Sequence, residues 1–386
     1  MAGTLLLEPL HSEKQLNKQW LENLLLHKHG SPVTVLSWHC VLPSSREGFL
    51  SEIAYVKVIY ANQSVKETEK KLVFKFLPQD FESRKFVLKS GIVKREVAFY
   101  KLLNSPECGE ICQRSGIVLP VPECYFASYA EDCMTIVMQD VSVDHYKTVI
   151  VKEGSTIIQT KAAVKAIALV HAFGYVYLKH GSCKKHLDAI TETVDVDSLD
   201  EDFIPNLQTL ASMYEGTPTA DTFRALMPLT KALHDYPLRY PLFNTILHGD
   251  FWAGQLLFSD DESKAIIIDW QFCNIGNPVC DIMSMFFMSS DIYMVAHHLE
   301  EILSDYWYTL TRALEDNKMK VDFTFDHLMA NAEELWISGF VNLGCSIHAF
   351  LPAGNITEKR LKAAVQFLED RGVFTKLIQE LSCKEG

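Results

Sequence analysis

Hydrophobic and polar positions follow three different periodicities along the chain. The first is helical. Leu16, Trp20 and Leu24 recur every four residues, Ser12 and Gln15 stand ahead of them at capping-box spacing, and Gly30 supplies a stop. The second is strand-like. Residues 33–42 (VTVLSWHCVL), 52–60 (EIAYVKVIY) and 71–77 (KLVFKFL) are rich in β-branched and aromatic side chains, with PSSREG and ANQSVKET between them as turns. This predicts an antiparallel meander. Helical spacing returns over 91–104 through Ile92, Val93, Val97, Tyr100 and Leu103, and two further strands are predicted near 123–128 and 134–139. From about residue 156 helices dominate, over 160–174, 292–315, 325–350 and 357–382. Residues 181–222 are polar and read as helix and loop. One short hairpin, 256–258 with 265–268 around SDDESK, interrupts the helical half. The expected fold is α+β, with a β-rich part over 1–140 and a mainly helical part over 141–386.

Composition leaves this picture intact and narrows the function. With 48% hydrophobic and 22% charged residues the chain can bury a full core. A formal net charge of −13 argues against a general nucleic-acid binder, which needs a basic face for phosphates. The ten cysteines show no regular framework, and MAGTLLLEPLHSEKQ lacks the basic start and long apolar stretch of a signal peptide. A cytoplasmic protein with reduced thiols is expected. No run of 18 apolar residues occurs, and the best candidate, 162–178, is interrupted by Lys165 and His171, so no membrane span is expected. Nothing in the sequence specifies an oligomeric state.

The hairpin carries the chemistry. HGDFWAGQLLF, His248 to Phe258, is followed after the turn by AIIID, ending at Asp269 with Trp270 behind it. If Phe258 faces Ile266, Gln255 stands opposite Asp269 at the open end, with Asp250 on the loop before it. A carboxylate and an amide oxygen side by side suit Mg²⁺, which keeps its other positions for phosphate and water. A separate carboxylate upstream can accept a hydroxyl proton. Asp260, Asp261 and Glu262 read as solvated turn acids. Lys75 is a second odd residue: it sits inside the apolar strand VFKFL, where an amine needs a partner or bears a desolvation cost.

HGDFWAGQLLF followed by IIIDWQ resembles the catalytic and metal-binding segments of the aminoglycoside phosphotransferase and choline kinase superfamily, a branch of the protein-kinase-like fold. The Trp two residues after HGD, Trp252, is similar to the ecdysteroid-kinase-like (CHK kinase-like) family in particular. SSREGFLSEIAYVKVIY resembles that family's nucleotide loop and following strand, LVFKFLP its lysine strand, KREVAFY its glutamate helix and IVMQDV its interlobe hinge. GNPVCDIMSMF resembles the segment after the metal-binding acid. The resemblance implies a two-lobed kinase-like fold that binds ATP and Mg²⁺. It implies that Lys75 holds the α- and β-phosphates and is fixed by Glu96, and that backbone of Val137, Met138 and Gln139 meets the adenine edge. Asp250 would then be the base, Asp269 the metal ligand, and His248 and Asp281 braces of the catalytic loop.

The pattern departs from the family where Asn is usual as the second metal ligand, because this chain has Gln255. One extra methylene moves the amide oxygen by about one bond length, and Mg²⁺ tolerates little misplacement. Two functions follow. The first is a Mg-ATP-dependent phosphotransferase acting on a hydroxyl of a small molecule. The second is an impaired pseudokinase that binds nucleotide or metabolite. Trp336, Phe340 and Phe350, within 335–350, together with 283–288, are expected to line an acceptor site or to be helix-packing core. A lining of this kind suits a lipophilic alcohol such as a sterol, whereas the acidic surface suits a cationic amino-alcohol.

Overall fold

The computed structural model describes residues 7–44, 50–62, 67–180, 187–191 and 196–382. Ser45 to Gly48 of the expected nucleotide loop, and Cys183 and Cys383, lie outside the described residues. The chain divides into two compact units, one formed by Met1–Gly109, Val121–His145 and Cys183–Ile190, the other by Glu110–Pro120, Tyr146–Ser182 and Thr191–Gly386.

The first unit is built on a five-stranded antiparallel sheet of β1 (Thr34–Val41), β2 (Glu52–Ala61), β3 (Thr68–Phe76), β4 (Cys124–Ala130) and β5 (Cys133–Gln139), in the order β1-β2-β3-β5-β4. The register pairs Ala54 with Phe74 and Val56 with Leu72, so the alternation of both strands brings their apolar residues to one face. The helix Lys18–His29 covers that face through Trp20, Leu21, Leu24 and Leu25. Trp20 lies 5.8 Å from both Phe74 and Phe126. Gly30 ends this helix in the left-handed region at φ 69°, as its position predicts. Its start differs from the expectation. Ser12 makes no capping bond; Asn17 caps instead, accepting from the Trp20 N–H at 3.0 Å, and Glu13–Gln15 form a separate 3₁₀ turn.

The second unit is mainly helical. Its long helix Ile157–His180 packs against Leu299–Asp316, and Val279–Ser289 against Trp336–Ala353. By length and composition Ile157–Lys179 is apolar enough to cross a membrane, but 78% of that stretch is buried inside the protein, as befits a core helix. Each long C-terminal helix of the sequence reading is two helices here. Helix 292–315 breaks at His298, and 325–350 breaks at Leu335 with a 46° bend. Helix 357–382 breaks at Gly372, which has φ 65°. Apolar periodicity runs through these breaks because both sides of each bury side chains in the same core. The described part of 181–222 forms helices Leu187–Thr191, Val196–Met213 and Pro218–Leu226. Among the described residues the eight cysteines are free thiols.

Candidate functional site

Two small sheets frame the HGD segment. Strand β6 (Thr245–Leu247) leads into His248 and pairs antiparallel with β9 (Asn274–Gly276), while β7 (Leu256–Phe258) pairs with β8 (Ala265–Ile267). Between β6 and β7 the chain makes the loop 248–252 and a 3₁₀ turn at Ala253–Gln255. Gly249 has φ 82°, and a Cβ there would sit 2.2 Å from the Phe272 carbonyl oxygen. No side chain fits that position.

The loop is held from below by Asp281, which is 1% exposed. Its Oδ2 accepts the His248 N–H at 2.7 Å and its Oδ1 the Gly249 N–H at 3.0 Å. Behind it His171 Nε2 lies 3.2 Å from Oδ2, and the Tyr306 hydroxyl lies 2.8 Å from His171 Nδ1. The His248 ring is fully buried. Nε2 meets the Ile268 carbonyl at 2.9 Å, and Nδ1 receives the Asp250 N–H at 3.3 Å. A carbonyl only accepts and an amide N–H only donates, so Nε2 carries the hydrogen and the ring is neutral. Burial pushes its pKa down, against the pull of Asp281. His248 and Asp281 thus shape the loop.

Asp250 is half-buried on this frame. Its Oδ2 accepts the Gln255 Nε2–H at 2.9 Å and the Trp252 Nε1–H at 3.3 Å. Burial raises its pKa to about 7; Gln255 opposes this, the Asp269 charge adds to it, and Trp252 and Asp281 act in those same two directions more weakly. Asp269 follows β8 in the left-handed region at φ 63°. The expected register was off by one. Phe258 pairs with Ala265, so Gln255 stands opposite Ile268, whose N–H it accepts at 3.0 Å. The turn closing from Ser259 N–H to Lys264 O, and a second bridge from Phe258 to Lys147, set this register. Asp260 and Asp261 are exposed turn acids as expected, and Ser259 and Ser263 hold the Asp261 pKa down to about 2.

In the first unit, strand alternation places Lys75 on the face opposite the one that the N-terminal helix covers. Its Nζ lies 2.8 and 2.7 Å from the two carboxylate oxygens of Glu96 on the helix Ile92–Leu103, with both side chains buried. Val137 and Met138 pair with Phe74 and Val73 on one side, and with Phe126 and Cys124 on the other. The Gln139 N–H goes to Glu123 O and the Asp140 N–H to Lys71 O. These donors serve the sheet. Trp336 and Phe340 pack into core, at 1% exposure each, against Phe367 and Phe374. Phe350 is buried as well, at 5% exposure, with its ring 4.5 Å from Trp252, which bonds Asp250.

The sequence profile of the ecdysteroid kinase-like family matches residues 45–319. The chain belongs to that family. No curated protein matches it in sequence. Among solved structures it is similar to a GDP complex of aminoglycoside 2'-phosphotransferase-IIIa, at 12% identity over 92% of this chain and 98% of that one, with a TM-score of 0.42. It is also similar to an ethanolamine kinase of Plasmodium vivax, at 12% identity over 92% of each chain with a TM-score of 0.43. A type I macrolide 2'-phosphotransferase gives 15% identity over 91% and 96%, with a TM-score of 0.39.

For a member of the ecdysteroid kinase-like family, the donor set near Asp250 has to be tested against a divalent cation. Among the described residues no group of three or more His, Cys, Asp and Glu side chains could hold one. Mg²⁺ asks for less, since it binds through one or two protein oxygens and fills its shell with phosphates and water. Asp269, a carboxylate close enough to raise Asp250, fits that need. Gln255 turns its amide nitrogen to Asp250, and its oxygen is the atom it could offer a metal. Sequence reasoning noted Trp252 only as a family mark and missed its bond to Asp250. It also missed Ser289, whose Oγ accepts the Ala253 N–H at 2.7 Å, and the roles of His171 and Tyr306. His171 did leave a signal, as a polar residue in an apolar helix.

Proposed function

We propose that the protein is a Mg-ATP-dependent phosphotransferase whose acceptor is a hydroxyl of a small molecule. The observation that carries the reading is the Asp250 carboxyl. It is raised to about 7, with Oδ2 occupied by two donors and Oδ1 left to take a proton from an acceptor hydroxyl. Lys75, fixed by Glu96, serves the nucleotide phosphates, and Asp269 holds the metal. When bound, the metal neutralises charge on the transferring phosphoryl group. His248, Gly249 and Asp281 hold the Asp250 loop in register, so the base is positioned before the acceptor arrives. The aromatic pair of Trp252 and Phe350 next to Asp250 favours an acceptor with an apolar body, such as a lipophilic alcohol. A cytoplasmic location remains part of the proposal.

An impaired, nucleotide-binding pseudokinase is favoured by one observation, Gln255 at the position where the family usually has a metal-binding Asn. The test is ATP consumption by the purified protein in a small-molecule extract, with Mg²⁺ and then Mn²⁺. Mass spectrometry reads any metabolite that gains a phosphoryl group. A product that vanishes in Asp250→Asn supports the kinase. ATP binding with no product under either metal supports the impaired reading.

A further inference from the structure

We propose that Gln255 acts as a positioning residue for Asp250, clamping its Oδ2 together with Trp252. The inference rests on the phosphotransferase reading only for its kinetic arm. Three observations carry it. The side-chain nitrogen of Gln255 lies 2.9 Å from Asp250 Oδ2. A carboxylate only accepts, so the amide is turned with its nitrogen, and not its oxygen, toward the base. The residue's backbone is fixed at both ends, its N–H donated to Trp252 O at 2.9 Å and its carbonyl accepting from Ile268 at 3.0 Å. The side chain therefore departs from a set point, and its length decides what it reaches. Finally, Trp252 Nε1 brings a second donor to the same oxygen at 3.3 Å, and its ring is held against Phe350 at 4.5 Å.

Two donors on one oxygen fix the rotation of the carboxyl, which leaves Oδ1 as the single oxygen facing an acceptor. The extra methylene is what makes the clamp. From the same backbone Asn would fall short by about one C–C bond, ~1.5 Å, leaving its nitrogen beyond hydrogen-bond reach of Asp250. The exchange of the family's usual Asn for Gln then brings this position to the base, and Asp269 is the carboxylate that would hold the metal.

The two roles predict opposite results for Gln255→Asn. A clamp predicts a kcat lower by roughly ten- to a hundred-fold, with KM for ATP and the Mg²⁺ activation constant unchanged. A ligand role predicts tighter Mg²⁺ activation or a higher kcat. Any change in the Mg²⁺ constant, or an unchanged kcat, overturns the proposal. A second readout needs no turnover. In metal-free protein, Asp250→Asn should shift the ¹H–¹⁵N signals of the Trp252 indole and the Gln255 side-chain amide, while the other indoles stay in place. Should wild type form no product, the phosphotransferase reading fails and this spectrum alone decides the clamp; unshifted Trp252 and Gln255 signals overturn it.

Discussion

Asp281→Asn is the sharpest test of how the HGD loop is held. The wild-type carboxylate accepts three bonds inside the core, from the His248 N–H, the Gly249 N–H and His171 Nε2, at 2.7, 3.0 and 3.2 Å. Asn keeps one acceptor oxygen. Its NH₂ must then face either the Gly249 N–H or the pair from His248 and His171, so at least one buried donor meets another donor. An orphaned buried donor costs about 1–3 kcal/mol, and losing the charge weakens the remaining bonds by about 1 kcal/mol more. Relief of carboxylate burial offsets part of this. We expect a net loss of about 3 kcal/mol, which is roughly 6–12 °C in Tm for a unit of this size. The assay is scanning calorimetry at pH 7.5, with Asp322→Asn, an exposed loop acid, as the control. The control should stay within about 0.5 kcal/mol of wild type. If Asp281→Asn melts with the control, Asp281 does not hold the loop and the bracing argument is wrong.

Two further predictions concern buried charge. Lys75→Met and Glu96→Leu should each destabilise the protein by about 3–5 kcal/mol by stranding the partner, while the double variant costs less than the sum by 1 kcal/mol or more. Additive losses in urea unfolding would show that the pair is not coupled. Asp250 has a folded pKa of about 7, above its unfolded value near 3.8, so the fold favours the protonated acid. Its contribution is present at pH 4 and lost as pH rises through 7. Metal-free Asp250→Asn should therefore gain stability relative to wild type between pH 5 and pH 8, by about 1–2 kcal/mol after allowance for solvent screening at a half-buried site. A gap that stays flat or shrinks with pH in denaturant titrations contradicts the raised pKa.

Local pattern fixed a large part of this protein by itself. Strand alternation in β2 and β3 determined both the buried face and the placing of Lys75 on the other one. The position of Gly30 determined where the first helix stops. The spacing of HGD, Gln255 and Asp269 marked out the candidate site, because short-range motifs are written in adjacent residues. Other features needed distant parts of the chain. The one-residue slip of β7 against β8 depends on Lys147, more than a hundred residues upstream, and on a turn whose polar residues allow several registers. The split helices near His298 and Leu335 carry no break in their apolar pattern, since packing on both sides sets the bend. The orientation of Gln255 was decided last. Its residue type names an amide, but only the folded loop, held by Asp281 and closed by Trp252, turns the nitrogen of that amide toward Asp250. Side-chain direction follows from where the backbone is anchored, and those anchors come from tertiary contacts that sequence spacing does not encode.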